Sequence, residues 1–340
     1  MQAPEPRTVR LLTETDLRQC VGLDPAALQA IDDAFAWLVE RAVDMPPIQH
    51  LSVTDPSASA NHLGDVDVKS AFVPGLDRLA VKIASGFYGN PAKGLPSGSG
   101  LMVVLDADTG FCRAVLLDNG YLTDLRTALA GGVAARYLAP ENVETAGILG
   151  TGRQAELQAR ALQLVRPFRR LVIFGRTRAH AESLAERLRR YLPQVAVEIA
   201  DSARSVVAEA SCIVTTTAST QPLIEADWLA PGQHITAVGS DLPGKQELAP
   251  EVLTTADLYV CDRRSQCQRL GELQHLPESE RSALESLELG EIAAGRRPGR
   301  STEGQITVCD LTGTGVQDTA IAVHALDSAE HLGLGHEIAG

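Results

Sequence analysis

No apolar run in the 340-residue sequence approaches the ~20 residues that cross a bilayer. The first ten residues, Met1 to Arg10, hold no apolar stretch of leader length. Membrane spanning and export are therefore not expected, and the chain reads as cytoplasmic. The six cysteines, Cys20, Cys112, Cys212, Cys261, Cys267 and Cys309, form no Cys-x-x-Cys pair, which removes the common thiolate metal and redox motifs. Several lie in strand-like apolar runs such as Cys212-Ile213-Val214, where a buried reduced thiol is the expectation. The eight histidines make neither HxxxH nor HExxH, and His62, His180 and His331 sit in polar segments, so no metal site is expected. Cationic residues are also scarce: 30 Lys and Arg against 43 Asp and Glu leave a formal charge of −13. That balance argues against a nucleic-acid partner, since phosphate contacts need clustered cations. A small molecule is the better candidate ligand.

What is present is a full core's worth of apolar residues, 44% of the chain, at a length that favours two domains over one. Asp24-Pro25 opens a helix whose apolar face would carry Leu28, Ile31, Phe35, Leu38 and Ala42 and which stops before Met45-Pro46-Pro47. Residues 53–64 read as a polar loop or hairpin connection. Beyond them Val66 and Val68 alternate with Asp65, Asp67 and Lys69, a half-buried strand with a charged face. In the next run Lys82 shares its face with Ala80 and Ala84, which leaves a lysine room to reach into a cavity. Leu101 to Leu105 and Ala114 to Leu117 add two more strands across a turn at Asp108-Thr109-Gly110. The first ~125 residues thus read as a mostly antiparallel sheet with helices.

After Thr123 the pattern becomes helix and strand in alternation. A helix over about Asp124 to Leu138 is followed by apolar runs at Glu144 to Leu149, Leu171 to Phe174, Val195 to Ile199, Cys212 to Thr215, Ile235 to Val238 and Leu258 to Cys261. The spacing predicts an α/β fold: a Rossmann-type, doubly wound parallel sheet beside an α+β domain. The tail from Ser328 reads as surface or loosely packed.

The sharpest local signal is Ala146-Gly-Ile-Leu-Gly150-Thr151-Gly152-Arg153-Gln154-Ala155, a strand entering a Gly-x-Gly-x-x-Ala turn and then a helix to Val165. Gly150 permits the tight turn, Gly152 lets backbone approach a pyrophosphate, Ala155 allows close packing, and the helix start offers free N–H groups. The following strand ends in Phe174-Gly175-Arg176-Thr177-Arg178, where an NAD-selective site offers a carboxylate to the ribose 2′-hydroxyl. The arginines and threonine could hold a 2′-phosphate, favouring NADP(H) over NAD(H) within NAD(P). The plainer alternative makes Arg176 and Arg178 solvated helix-start residues.

Four segments read in order, LAVKIASG around Lys82, LTDLRTA around Arg126, the glycine turn, and VGSDLPGKQEL around Asp241, resemble the ornithine cyclodeaminase and mu-crystallin family from about residue 10 to 325. MPPI, GDVDVK, AFVPGLD, LLDNGYLTD, LYVCDRRSQ and ITVCDLTGTGVQDTAIA are similar to its ectoine-utilisation cyclodeaminase-like branch. The resemblance implies a substrate-binding and dimerisation domain over 1–125 and 317–340, an inserted dinucleotide-binding domain over 126–316, a homodimer, and a substrate in the cleft over the nicotinamide. It implies that Lys82 and Arg126 hold a substrate carboxylate and that Asp241 moves a proton. A turn-capping Asp241, a snorkelling Lys82 and a surface Arg126 are the plainer alternatives. His50 aligns where the family commonly has an arginine, and Lys69 where ornithine cyclodeaminase has a glutamate. Lys69 should repel a distal ammonium and welcome a second anionic group unless Asp65 or Asp67 neutralises it. By position, Thr127, Thr215, Thr216, Thr217, Val238, Gly239, Leu311 and Thr312 are further cofactor candidates, the threonines being as well explained by β propensity. The activity implied is hydride transfer at the C–N centre of an amino acid or imine, by a cyclodeaminase or an imine reductase or amino-acid dehydrogenase, in ectoine or diaminobutyrate breakdown or another pathway. A mu-crystallin-like protein that binds NADP(H) and a small ligand is the alternative from another class.

Overall fold

The structure is a computed structural model that describes residues 8–55, 61–87 and 89–339. In chain order it begins with β1 (Thr8–Thr13), α1 (Glu14–Cys20), α2 (Pro25–Glu40), β2 (Gln49–Asp55), β3 (Asn61–Ala71), β4 (Arg78–Gly86), β5 (Gly98–Asp106), β6 (Cys112–Leu117) and α3 (Tyr121–Leu138). Next come β7 (Thr145–Leu149), α4 (Arg153–Val165), β8 (Arg170–Phe174), α5 (Arg178–Tyr191), β9 (Ala196–Ile199), α6 (Ala203–Glu209), β10 (Cys212–Thr215), β11 (Thr220–Ile224) and β12 (His234–Ala237). The chain ends with β13 (Gln246–Leu248), α7 (Pro250–Thr255), β14 (Leu258–Cys261), α8 (Arg264–Leu270), α9 (Glu278–Ala283), β15 (Ser286–Glu288), α10 (Leu289–Ala293), β16 (Thr307–Asp310), α11 (Gly315–Leu332) and β17 (His336–Ala339). No described helix is long and apolar enough to cross a membrane. Two compact units result: the chain up to Arg126 together with the chain from Thr314, and Thr127–Gly313. Arg126, expected to begin the inserted unit, is the last residue of the first, and Thr314 to Val316 return with it.

The first unit is built on a seven-stranded sheet in the order β17-β1-β6-β5-β4-β3-β2. Every pair is antiparallel except β1 with β6. Helix α2 forms where the sequence says it should: the Asp24 carboxylate accepts from Ala26 N and Ala27 N at 2.9 Å each, Pro25 occupies the first turn, and Leu28, Ile31 and Phe35 are buried. Ala42 falls past its end and is exposed. Helix α11 packs on β3 and β4 so closely that a Cβ at Gly315 would lie 2.4 Å from the Ser70 carbonyl oxygen. Thr319 on the same helix donates to the Ala71 carbonyl at 2.9 Å.

The second unit is an eight-stranded parallel sheet, β15-β14-β16-β12-β10-β7-β8-β9. The order reverses beside β7, with β8 and β9 on one side and β10, β12 and β16 on the other. This is the Rossmann arrangement, and its switch point lies outside the carboxyl ends of β7 and β10. Strands covered on both faces are buried throughout and mostly apolar, and the polar side chains they carry must find partners inside. Accordingly every residue of β10, β12 and β16 is buried, and Ile213, Ile235, Val308 and Tyr259 share one core.

Two expectations are corrected. Residues 53–55 and 61–64 belong to β2 and β3, because Asp and His side chains on one face of these strands bond one another; residues 56–60 of that reading lie outside the described residues. The tail lies at the surface over 330–339, as expected, but it is not loosely packed: α11 runs through Ser328 and buries Ala329, and β17 pairs with β1. β1 itself goes unread, since six residues give too short a pattern.

Candidate functional site

The dinucleotide turn is shaped by what glycine leaves out. Gly150 follows β7 at φ +130°, and a Cβ there would sit 2.3 Å from Thr216 Oγ1. Gly152 precedes α4 and has open space where its side chain would be. Ala155 is wholly buried, so α4 packs close to the sheet. A Cβ on Gly175 would strike Thr151 Cγ2 at 2.2 Å, which pins the end of β8 against the turn. A cavity of about 380 Å³ opens over these residues, lined among others by Thr151, Gly152, Arg176, Thr177, His180 and Thr217. The N-terminus of a 13-residue helix, a glycine cradle and this volume fit the pyrophosphate and adenosine of a dinucleotide.

Of the other cofactor candidates, Thr216 also lines the cavity, while Arg153 and Gln154 form the first turn of α4. Arg178 is not in the lining; its guanidinium goes to Glu182 at 3.2 Å. Thr127 lies on α3, its carbonyl accepting Gln158 Nε2 at 3.0 Å. Thr215, Val238 and Gly239 stand at the ends of β10 and β12; Glu247 joins Thr215 to Gly239, and Val238 N donates to the Thr215 carbonyl at 3.1 Å. Leu311 and Thr312 follow β16 and are buried, with Asp262 accepting from Thr312 N at 2.8 Å, Thr312 Oγ1 at 2.9 Å and Gly313 N at 2.6 Å. Asp241, past the end of β12, is half exposed and receives Lys245 Nζ at 2.7 Å.

The first unit holds the other group of candidates. Register pairs Lys69 with Lys82 and Asp67 with Ala84 across β3 and β4, so the charged residues of β3 share the face that α11 covers. The alternation was read correctly, but the charged side is the packed one; Val66 and Val68 point the other way. Lys82 is 2% exposed. Its Nζ lies 2.9 Å from Asp318 Oδ1, and Arg126 Nε lies 3.0 Å from the same oxygen. Arg126 also reaches Gln317 Oε1 at 3.4 Å. Burial first, and then the Arg126 charge, bring the Lys82 ammonium down to about 7 against the pull of Asp318. Burial alone would raise the Asp318 carboxyl, but Lys82 and Arg126 outweigh it and hold it below its usual range. Beside them Asp318 Oδ2 and Gln317 Nε2 are buried without a hydrogen-bond partner among the described residues. Asp118, buried just before α3, accepts from Leu122 N at 2.8 Å, and burial pushes its carboxyl up.

His50, from which only a weak or protonation-dependent hold on a carboxylate is expected, faces two carboxylates of its own sheet. Its Nδ1 lies 2.8 Å from Asp67 and its Nε2 3.3 Å from Asp65, and Asp65 also takes His62 Nε2 at 3.0 Å. The sequence reading also missed Asp318, Gln317, Asp118, Glu247, Asp262 and His180. Only Asp262, at the carboxyl end of an apolar run, carried a local signal.

Residues 9–332 match the ornithine cyclodeaminase/mu-crystallin family. The chain belongs to that family. An uncharacterized cyclodeaminase of Sinorhizobium fredii is 48% identical to it over 331 residues, covering 96% of this chain and 98% of the relative. Among solved structures, an archaeal alanine dehydrogenase dimer with bound NAD matches with a TM-score of 0.85 at 30% identity, over 98% of this chain and 99% of that one. The Delta(1)-pyrroline-2-carboxylate reductase of Thermococcus litoralis, in complex with NADH and L-proline, matches with a TM-score of 0.89 at 26% identity, over 97% of this chain and all of that one (100%). The shared fold alone does not choose the substrate.

Proposed function

We propose that the protein is an NAD(P)-dependent enzyme that moves a hydride at the C–N centre of an amino acid or imine, as a cyclodeaminase or as an imine reductase or amino-acid dehydrogenase. The observation that carries this reading is the buried Lys82–Asp318–Arg126 group. Two cations share one anion in a place shielded from water, and such an imbalance is relieved by an anionic ligand. A substrate carboxylate supplies that charge and two acceptors for charge-assisted bonds, which fixes the α-carbon beside them. A bound carboxylate also raises the proton affinity of Lys82 Nζ, so substrate binding keeps the ammonium charged. Asp241 Oδ1 exchanges its Lys245 contact for a proton passing to or from the substrate nitrogen. When bound, the nicotinamide supplies or accepts the hydride. The named ligands of two relatives, NAD in one and NADH with L-proline in the other, support this class of reaction.

Finer features follow from single residues. Arg176 and Thr177 line the cavity at the end of β8, where no carboxylate stands, and this supports NADP(H) over NAD(H). Arg178, already paired with Glu182, is dropped from the clamp. Lys69 beside Lys82 disfavours a substrate with a distal ammonium, so a diaminobutyrate-derived compound from ectoine breakdown suits this face only with its second nitrogen uncharged. An added carboxylate would suit it better. The first unit would then serve substrate binding and dimerisation, and the second the cofactor. A homodimer is supported by the sheet face turned away from α11, where Val81, Ile83, Leu101, Val103, Val115 and Leu117 are half-buried or exposed.

The test is to denature the purified protein, identify any released dinucleotide, and follow NADH and NADPH absorbance with a panel of 2-imino acids and diamino acids. Retained NAD with turnover and no net absorbance change marks a cyclodeaminase. Net oxidation of NADPH marks a reductase. Binding of NADPH with no turnover of any carboxylate substrate contradicts the proposal and leaves a ligand-binding protein.

A further inference from the structure

Glu247 is wholly buried in the middle of the short strand β13. Its carboxylate accepts four hydrogen bonds: Oε2 from Thr215 Oγ1 at 2.6 Å and Gly239 N at 2.7 Å, and Oε1 from Thr217 N at 2.5 Å and Thr217 Oγ1 at 2.8 Å. Every partner is a donor, which suits an acceptor-only ionised carboxylate and fills its capacity. The side chain is itself braced, because Glu272 accepts from Glu247 N at 2.9 Å and from Leu248 N at 3.2 Å. The fit is tight enough to demand glycine at 239: a Cβ there would lie 2.1 Å from the Thr217 carbonyl oxygen and 2.6 Å from the Glu247 carboxyl carbon.

The two loops so joined follow β10 and β12, the strands on the side of β7 opposite β8. A dinucleotide laid across the switch point puts its adenosine half toward β8 and its nicotinamide half toward β10 and β12. Backbone bonds from Thr216 N to the Leu149 carbonyl at 2.8 Å and from Val238 N to the Thr215 carbonyl at 3.1 Å hold the first residue past each strand; one residue further on, Thr217 N and Gly239 N find their acceptors in the Glu247 carboxylate instead.

We propose that Glu247 is a positioning residue that holds the Thr215–Thr217 and Val238–Gly239 loops in the form that receives the nicotinamide half of the cofactor. The proposal rests on the dinucleotide-binding reading above. Glu247 touches neither cofactor nor substrate; it acts through the backbone it pins. A glutamine in its place keeps the shape but turns an N–H₂ toward donors, so at least one donor loses its acceptor and the loops shift.

The experiment compares the full-length wild type with Glu247→Gln and with Thr215→Val, which removes one donor and leaves the carboxylate. For each, dissociation constants are measured for NADPH and for ADP-ribose phosphate, the same molecule without nicotinamide, together with the melting temperature. We expect Glu247→Gln to weaken NADPH about tenfold or more and ADP-ribose phosphate much less, with Thr215→Val intermediate. If Glu247→Gln fails to fold, Thr215→Val alone decides by the same ratio. A lower melting temperature with an unchanged NADPH constant, or equal weakening of both ligands, overturns the proposal. Failure of the wild type to bind NADPH and NADH overturns the dinucleotide reading itself, and this inference with it.

Discussion

Asp318 Oδ1 is shared by Lys82 Nζ at 2.9 Å and Arg126 Nε at 3.0 Å, so one buried oxygen orders two side chains that are separated by 44 residues in sequence. The two cations cannot be left without it. Asp318→Asn keeps the shape and removes the charge, and breaking a buried ion pair in this way costs about 3–5 kcal/mol. We expect a large fall in melting temperature and a loss of kcat/KM for carboxylate substrates that exceeds what unfolding explains. Calorimetry and steady-state kinetics on the same sample check this; a variant with the melting temperature and turnover of the wild type would remove Asp318 from the group.

Lys82 gives two pH signatures of opposite sense. Its folded value, about 7, lies below the 10.5 of an ordinary lysine, with burial the main cause and Arg126 the next. Between those values the unfolded chain holds the extra proton, so this group's contribution to stability rises with pH across that window. In the proposed role the charged form holds the substrate carboxylate, so kcat/KM should decline as pH rises beyond about 7. A pH–rate profile and denaturant midpoints, with Lys82→Met as reference, test both; a flat profile in the wild type contradicts the assignment.

Glu272 works the other way. Burial, followed by the nearby Asp310 charge, lifts its carboxyl to about 9, and burial lifts Asp310 to about 7. A folded value above the unfolded one means that the folded state keeps the proton, so stability from Glu272 is complete below about 4.5 and is lost as pH rises through about 9. Glu272→Gln, which cannot ionise, should flatten the decline in urea midpoint between these limits. An identical slope in variant and wild type would show that Glu272 does not titrate there.

The proposed preference for NADP(H) rests on one of two arginines that look alike in sequence. Arg176 lines the cavity, whereas Arg178 is turned to Glu182 at 3.2 Å. We expect Arg176→Ala to weaken NADPH by about tenfold or more while sparing NADH, from loss of a charge-assisted phosphate contact. Arg178→Ala should change neither by much. Binding titrations of both cofactors decide, and equal affinities of Arg176→Ala and wild type for NADPH would refute the clamp.

The parts of this molecule written in local pattern were legible. Gly150, Gly152 and Ala155 between a strand and a helix give the Rossmann turn, and period-two alternation around Lys82 gives its strand and face. What was hidden depended on long-range pairing. Asp318 sits on a helix that is buried on nearly every side, so no stripe marks its polar residues, and its partner Lys82 is 236 residues away. Glu247 belongs to a three-residue strand, too short for any period to show. The contacts of Asp65 and Asp67 with both His50 ring nitrogens could not be read either, since they join residues of two different strands. The β2–β3 strands were missed in part because their polar residues satisfy one another across the sheet, and composition alone reads such residues as loop.

The central claim is that a hydride passes between a nicotinamide and the carbon bearing nitrogen in a substrate held by its carboxylate. The direct measurement is to supply reduced cofactor deuterated at its transferable position together with a 2-imino acid, and to locate the label by mass spectrometry. The account predicts deuterium on the α-carbon of the amino acid product, with the label lost when Arg126 is replaced by alanine. Cofactor oxidation without deuterium at that carbon, or labelling as fast in Arg126→Ala as in the wild type, would contradict it.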